Sequence, residues 1–286
     1  MIPTNVSQLA HDKFHAAISS RDLIYTETPS SICYDSKTNM NYWIILKPNF
    51  AVKPEFGDTP KDDDPLARDE PELTILKDLD GTNEFKLVLN KFPIMENHCL
   101  LTTNSFKDQT SKLTPSDLLT AYNLITLMNE THKYMVIYNS GPSSGSSQKH
   151  KHLQLIQLPE DFTPFQDKLP KGAISDSNVS FAHFTLPLSG NPHANTLHEC
   201  YSSLLTMTQN YHSSTPLSYN FIMTKNWMCL IPRSSIKAKS IDIGFNSIAY
   251  AGLVLVKFKH MYDDLTSNPD LLDKLLLECG FPNPSK

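Results

Sequence analysis

The chain has 286 residues, of which 40% are hydrophobic and 19% charged, and its formal net charge is −5. A compact fold of this length can bury roughly three-quarters of the surface that its unfolded chain exposes, so a core needs no disulfide or metal to support it. The composition is that of an ordinary globular protein. Because it carries no overall basic excess, we expect no nucleic acid among its partners, although a local anion site is compatible with it.

The cysteines and the apolar runs indicate a cellular location. The five cysteines are scattered, and none forms a CxxC pair. Since secreted disulfide frameworks and structural zinc sites use tighter spacing, we expect reduced, buried thiols and no structural zinc. The N-terminus lacks the pattern of a signal peptide, and no apolar run approaches the ~20 residues of a membrane span. We therefore expect a protein of the cytoplasm or of both cytoplasm and nucleus, with no membrane partner.

Hydrophobic periodicity and turn residues predict a series of short strands and several helices. In chain order these are a helix near 5–18, strands 41–47, 85–90 and 98–103, a helix from Pro115, strands 133–139 and 152–158, a helix near 195–211, strands 218–223 and 226–232, and helices near 246–264 and 268–279. Two connections rich in Asp and Pro, residues 56–72 and 158–178, are predicted to be exposed and to add nothing to a core.

Local signals support two of these elements. Thr114 can cap the helix that starts at Pro115, with Asp117 completing a capping box. Only Thr224 and Lys225 separate the last two strands, which indicates a hairpin. Short strands linked by hairpins, with few helices and no regular βαβ alternation, predict an α+β fold with a largely antiparallel sheet. We expect a single domain over residues 1–286.

The stretch SSGSSQKHKHLQLI at 144–157 carries the main candidate site. On a strand, side chains alternate between faces, so His150, His152 and Gln154 share one face and the residues between them take the other. Upstream, Gly141 and Gly145 permit backbone conformations in which successive N–H groups form an anion nest. An anion cradle would then lead to a face that carries two imidazoles and an amide.

Three interpretations of this stretch compete on the residues alone. It can be a half-buried strand whose histidines make ordinary hydrogen bonds. It can be a metal site, although no Asp, Glu or Cys lies in the stretch and a glutamine is a poor third ligand for zinc. It can also be a nucleophilic site, in which a neutral imidazole attacks phosphorus and forms a phosphoramidate.

The wider sequence resembles one family. YNSGPSSGSSQKHKHLQ looks like the active-site strand of the histidine-triad superfamily in its HxHxQ variant, which is typical of the transferase branch. The segments TPKDDDPL, LVLNKFPIMENHCLLTT, SFAHFTLP, SYNFIMTKNWMCLIPRS, IGFNSIAYAGLVLVK and LLLECGFPN are similar, in this order, to fungal diadenosine tetraphosphate phosphorylases, also called ATP adenylyltransferases. The resemblance covers essentially the whole chain.

This resemblance implies a histidine-triad-like domain with N-terminal and C-terminal family-specific extensions, and a reaction. Diadenosine tetraphosphate and phosphate would be converted reversibly into ADP and ATP through AMP bound covalently to His152. Gln154 would hydrogen-bond the phosphoryl group, and His150 would support the nucleophile. Formation of ADP from adenosine phosphosulfate and phosphate would be a side activity. The alternatives are a sugar-phosphate nucleotidylyltransferase, a dinucleotide hydrolase, and a dinucleotide-binding sensor without turnover.

The resemblance also implies a set of ligand contacts and partners. The partners would be the dinucleoside polyphosphate, ADP, ATP, AMP and phosphate, bound by a monomer without a tightly bound cofactor, with a divalent cation able to screen the polyphosphate. Arg233 could contact polyphosphate or be structural. Ile248 stands where the family more often has threonine and is left out of the site. The predicted ligand residues are Lys53, Asn90, Lys91, Asn139, Gly145, Ser146, Ser147, Gln148, Asn246, Ser247 and Lys257.

Overall fold

The secondary structure is taken from a computed structural model that describes residues 1–48, 63–212 and 216–286. The strands are β1 (Ser30–Asp35), β2 (Met40–Leu46), β3 (Thr74–Leu76), β4 (Phe85–Leu89), β5 (Cys99–Thr103), β6 (Tyr134–Ser140), β7 (His152–Gln157), β8 (Phe184–Pro187), β9 (Tyr219–Met223), β10 (Trp227–Pro232) and β11 (Leu253–Val256). The helices are α1 (Val6–Ser20), α2 (Pro115–Met128), α3 (Ala194–Tyr211), α4 (Lys259–Ser267) and α5 (Leu271–Cys279).

The strands form two sheets. The larger sheet has the order β3-β4-β5-β7-β6-β9-β10-β8, and its neighbouring strands pair antiparallel. The smaller sheet has the order β1-β2-β11, in which β2 and β11 run parallel, with Leu253 opposite Trp43. These sheets with their flanking helices confirm the predicted α+β fold with a largely antiparallel sheet.

Two apolar cores cover the two faces of the larger sheet. Helices α1, α2 and α3 pack on one face, through side chains such as Phe14, Leu118 and Tyr201. The smaller sheet, α4 and α5 cover the other face, where Tyr42 and Leu276 are buried. Strand β7 lies between β5 and β6 in the middle of the larger sheet, and all its residues except Gln154 and Gln157 are buried.

The predicted capping box of α2 is present. Asp117 N–H donates to Thr114 Oγ1 at 3.1 Å, and Thr114 N–H donates back to Asp117 Oδ2 at 2.7 Å. Two backbone donors that the first turn of a helix leaves without intrahelical acceptors are thereby satisfied. The hairpin prediction is also confirmed, since β9 and β10 pair antiparallel with Met223 opposite Met228.

The prediction of a helix over 246–264 is wrong. This segment contains a 3₁₀ turn at Ser247–Ala251, then β11, then α4. Gly252 adopts a φ of +102°, and a Cβ there would lie 2.4 Å from the Asn41 carbonyl oxygen. A helix cannot continue through this left-handed residue, and the apolar residues after it pair with β2 instead. Strands β1, β3 and β8 are also absent from the predicted elements.

Two smaller expectations need correction. The connection 158–178 does contribute to the core, because Phe162 and Phe165 are both buried. Cys33 and Cys200 are partly exposed, whereas the other three cysteines are buried as predicted, and all five are free thiols. Burial raises the pKa of Cys99 and of Cys229 to about 12, which keeps both protonated at neutral pH. In the described part of the chain, no helix has both the length and the apolar character to cross a bilayer.

His183 is a buried histidine that the fold holds in its neutral form. Its Nδ1 donates to the Phe181 carbonyl at 2.9 Å, and its Nε2 accepts from Asp176 N–H at 2.8 Å. Desolvation lowers the pKa of His183, against smaller raising effects of the Phe181 carbonyl and of Asp176 and Asp273. Below the ordinary histidine pKa of about 6.5, the unfolded chain therefore binds a proton that the folded protein does not.

We expect this proton to make the fold sensitive to mild acid. The contribution of His183 to stability should be complete above a pH of about 6.5 and decline as the pH falls through that value toward the lowered folded pKa. The variant His183→Gln, which keeps one donor and one acceptor, should lose stability less steeply between about pH 6.5 and 5. Urea unfolding of both proteins across this pH range measures this, and parallel pH curves would contradict it.

Candidate active site

His152 and Gln154 lie on β7 and face a cavity of about 250 Å³. The residue between them, Leu153, points to the opposite face and packs in the core formed with α1, α2 and α3. Lys151 also takes that face, where its ammonium group is buried and hydrogen-bonds Asp117 Oδ2 at 2.5 Å and the Lys112 carbonyl at 2.9 Å. The predicted alternation is therefore confirmed from Lys151 to Gln154, whereas His150 precedes β7 and is absent from the lining of this cavity.

The nucleophile candidate His152 has a defined tautomer. Its Nδ1 lies 2.8 Å from the His150 carbonyl oxygen. Because a carbonyl oxygen only accepts hydrogen bonds, Nδ1 carries the proton in the neutral imidazole, and the lone pair is on Nε2. The peptide of the preceding turn thus sets which nitrogen can attack.

The carboxamide of Gln154 is oriented by His98. Gln154 Oε1 lies 3.0 Å from His98 Nε2, and His98 Nδ1 lies 3.4 Å from the Ile94 backbone nitrogen. An Nδ1 that accepts from a backbone N–H leaves the ring proton on Nε2, which then donates to the Gln154 oxygen. With its oxygen engaged in this way, the NH₂ group of Gln154 is the part of the carboxamide that can donate to a ligand.

His150 is buried beside this pair and does not belong to β7. It forms an isolated bridge with Asp108, and Phe106 packs edge-on against its ring at 5.5 Å. Its Nδ1 lies 2.9 Å from Asp64 Oδ2, and its Nε2 lies 2.8 Å from the Thr103 carbonyl oxygen. These contacts fix the ring at both ends, which fits the supporting place that the sequence suggested.

The other predicted ligand residues are divided between two cavities. Asn90, Lys91, Ser147 and Gln148 line the cavity of His152 and Gln154. A second cavity, of about 620 Å³, is lined by Gly145, Ser146, Ser147, Asn246 and Lys257, together with Lys47, the pKa of which is lowered by burial. Ser147 lines both cavities, so the loop that precedes His150 forms part of the wall of each.

The loop at 141–148 approaches the 3₁₀ turn at Ser247–Ala251 very closely. Gly145 has a φ of +80°, and a Cβ there would lie 2.8 Å from the Phe245 carbonyl oxygen. Asn246 Oδ1 accepts from Ile248 N–H at 3.2 Å and so caps that turn. Glycine at 145 therefore allows the loop and Asn246 to share one cavity wall, while the anion nest itself stays a prediction.

Asn139 and Ser247 are buried and bind each other. Asn139 Oδ1 accepts from Ser247 N–H at 3.0 Å and from Ser247 Oγ at 2.6 Å. Asn220 Nδ2 donates to Asn139 Oδ1 and to the Ser144 carbonyl, at 2.8 Å in both cases. These bonds anchor the two segments that line the larger cavity, the loop at 141–148 and the turn that starts at Ser247.

The sequence leaves two roles open for Arg233, contact with polyphosphate or support of the fold, and the structure shows the second. Its buried guanidinium hydrogen-bonds Asn220 Oδ1 and the carbonyls of Cys279 and Ser144 at 3.0 and 3.3 Å, and it stacks over the Tyr250 ring. Lys53, predicted as a ligand contact, lies outside the described residues. Within the described ranges, no three His, Cys, Asp or Glu side chains gather to hold a metal ion.

Sequence reasoning missed several side chains around the site. No sequence motif singles out His98, although it directly precedes β5, whose register places Leu100 opposite Gln154. Asp64 and Thr103 have no sequence signal that connects them to His150. Gln109 also contacts the His152 backbone, and nothing in the local sequence predicts it. The pairing of β5 with β7 places His98 and Thr103 near the site, whereas Asp64 and Gln109 reach it from loops.

A histidine with its lone pair on Nε2 lies beside an oriented amide, and lysines line the two cavities next to them, an arrangement suited to binding a polyphosphate. Two family models match the chain: the Ap4A phosphorylase N-terminal domain over residues 5–175 and the ATP adenylyltransferase C-terminal domain over residues 177–282. The chain belongs to this family of Ap4A phosphorylases, where Ap4A is diadenosine 5',5'''-P1,P4-tetraphosphate, and is an enzyme of the nucleotidyltransferase class.

Individual relatives agree over the full length. The chain is 43% identical to diadenosine 5',5'''-P1,P4-tetraphosphate phosphorylase 2 of Saccharomyces cerevisiae, covering 99% of this chain and 97% of the relative. The crystal structure of yeast Ap4A phosphorylase Apa2 in complex with AMP has a TM-score of 0.91 at 42% identity and covers 99% and 98% of the two chains. The complex of Apa2 with Ap4A has a TM-score of 0.89, again at 42% identity, with 99% of each chain covered.

A matched pair of glycines tests the loop. Gly145→Ala should push the loop away from Phe245 and weaken ATP binding at least about tenfold, or 1.4 kcal/mol. Gly172 has nearly the same φ, +84°, but no neighbouring atom lies within 4 Å of where a Cβ would stand, so Gly172→Ala carries only the backbone cost of about 1–2 kcal/mol in stability. Calorimetric titration with ATP measures the difference, and equal affinities in the two variants would contradict it.

Proposed function

We propose that this protein phosphorolyses Ap4A with inorganic phosphate to give ADP and ATP, in a reversible reaction. The observation that carries the proposal is His152 itself: its Nδ1 is bound by a backbone carbonyl and its ring lines a cavity with Gln154. A yeast relative with 43% identity is named for this reaction, and the structure of Apa2 has been determined with Ap4A.

The reaction proceeds in two displacements at the α-phosphorus. His152 Nε2 attacks, a P–N bond forms, and the P–O bond to the leaving ATP breaks, which leaves AMP on the imidazole. An oxygen of phosphate then attacks the same phosphorus, the P–N bond breaks, and ADP leaves. While AMP is attached, the ring carries positive charge, and the Nδ1–H bond to the His150 carbonyl stabilises it.

The surrounding groups support the charge changes of these steps. The NH₂ group of Gln154 donates to a non-bridging oxygen, where negative charge increases in the transition state. The cavity that His152 faces takes the AMP portion, and the larger cavity takes the rest of the chain of phosphates, with Ser147 in the wall of both. Lys91 and Lys257, one in each cavity wall, offset part of the tetraphosphate charge.

No tightly bound cofactor is part of the proposal, since each step uses a side chain and the substrates alone. A divalent cation would contribute by screening the negative charge of the polyphosphate. The product ATP, the transferred AMP and the acceptor phosphate are thus the partners of the site, as the sequence resemblance implies.

The phosphate requirement is the decisive test. Purified protein with Ap4A should yield ADP and ATP only when phosphate is added, and mass spectrometry of the quenched enzyme should find AMP on His152. His152→Ala should reduce turnover by at least about a thousandfold while Ap4A still binds. Formation of AMP and ATP without phosphate would make the protein a hydrolase, and unchanged turnover in His152→Ala would exclude the covalent route.

The same intermediate predicts a second activity. Adenosine phosphosulfate presents the same adenylyl phosphorus with sulfate as leaving group, so His152 attack releases sulfate and phosphate then releases ADP. We expect ADP and sulfate in equal amounts from adenosine phosphosulfate and phosphate. Ion chromatography measures both products. His152→Ala is the control. If wild-type protein turns over Ap4A but gives no phosphate-dependent ADP here, this part of the proposal is wrong.

A further inference from the structure

Strands β6 and β7 separate at the position of the nucleophile. Their ladder runs from Tyr134 opposite Gln157 to Ile137 opposite Gln154. Continued by two residues, the same register would place Asn139 opposite His152, but the described pairing of these strands stops before that point. Beyond it, β6 continues along β9 and leads into the loop at 141–148. On this side, the backbone of His152 is therefore not paired with the strand residue that its register implies.

The side chain of Gln109 occupies this position. Its Oε1 accepts from His152 N–H at 2.8 Å, and its Nε2 donates to the Asn139 carbonyl at 2.9 Å and to the His152 carbonyl at 3.3 Å. One carboxamide thus supplies the acceptor and the donor that a paired strand would present. Gln109 is only 3% exposed, so water does not take these bonds over.

Gln109 is itself held firmly. Its N–H donates to the Lys149 carbonyl at 2.7 Å, and its own carbonyl accepts from the hydroxyl of Tyr138. The neighbouring bond from Lys151 N–H to the Lys107 carbonyl, at 2.8 Å, extends the same short pairing. Residues 107–109 therefore run along the chain that carries both histidines, and the Gln109 side chain reaches from there into the gap.

We propose that Gln109 is a positioning residue for His152, a role that rests on the proposed function. The other edge of His152 is held by β5, where Thr102 is its partner and Thr102 Oγ1 donates to the Lys151 carbonyl at 3.0 Å. Gln109 completes this clamp. Since the His152 ring is oriented through a bond to the backbone carbonyl of His150, the place of Nε2 depends on the backbone that Gln109 holds.

The test is the variant Gln109→Met, compared with Gln166→Met. Gln166 is equally buried, at 3% exposure, its Nε2 donates to the Tyr250 carbonyl at 3.0 Å, and Gln166 itself is absent from the lining of both cavities. We expect Gln109→Met to slow the formation of the AMP enzyme from Ap4A by about ten- to a hundredfold, because a displacement of about 1 Å misaligns the attack. AMP affinity should change less than about threefold, and Gln166→Met should keep its rate.

A second measurement does not depend on turnover. Amide hydrogen exchange at His152, followed by NMR, should accelerate in Gln109→Met, whereas exchange at Lys151, whose N–H binds the Lys107 carbonyl, should stay as in the wild type. If Gln109→Met does not fold, Gln109→Asn replaces it, because its shorter side chain keeps the amide but cannot span the gap.

The outcomes separate the two proposals. A wild-type protein without phosphate-dependent turnover would overturn the proposed function, and with it the positioning role of Gln109 in that reaction. An active wild type whose Gln109 variant keeps its rate, or loses no more than Gln166→Met, would overturn the positioning role alone. Unchanged exchange at His152 would show that Gln109 does not hold this part of the backbone.

Discussion

The position of β7 in the middle of the larger sheet, with most of its side chains buried, is the constraint on which the rest of the site depends. A buried polar group without a partner costs on the order of 1–3 kcal/mol, and a buried unpaired charge costs more, so each polar group on this segment needs a partner supplied by another element. Lys151 meets Asp117 of α2, His150 meets Asp64, and Gln154 meets His98. The order that these bonds impose on β7 is also the order that an attacking imidazole needs.

The same constraint connects the two halves of the chain. Asn139, on β6, receives hydrogen bonds from Asn220 on β9 and from Ser247 before β11, while Arg233 binds Asn220 and the Ser144 carbonyl. A guanidinium can be buried in this way because its several N–H groups are met by carbonyl and amide oxygens. The loop at 141–148 therefore takes its shape from residues matched by the C-terminal family model, although it lies in the N-terminal one.

Local sequence signals predicted those elements whose stability is local. The capping box at Thr114 and the alternation around His152 were readable because the residues that satisfy them lie within a few positions, and the predicted strands occur with ends within one residue. Strand β11 was not readable. Its apolar run is compatible with helix and strand alike, and it becomes a strand only by pairing in parallel with β2, about 210 residues away in sequence.

The residues of the candidate site also divide into those that the sequence predicts and those that it does not. Period and family resemblance identified several of the side chains that line the cavities, among them His152, Gln154 and Lys91, because the chemistry of the proposed substrate limits the residue types there. The residues that hold them, such as Gln109 and His98, face the protein instead, and any group with the right donor and acceptor could do so. Asn139 and Ser247 show the overlap of the two classes: the resemblance marks them as ligand contacts, and the structure has them bound to each other. In the proposed reaction the substrate meets the loop that this pair anchors, so that binding and positioning depend on the same buried bonds.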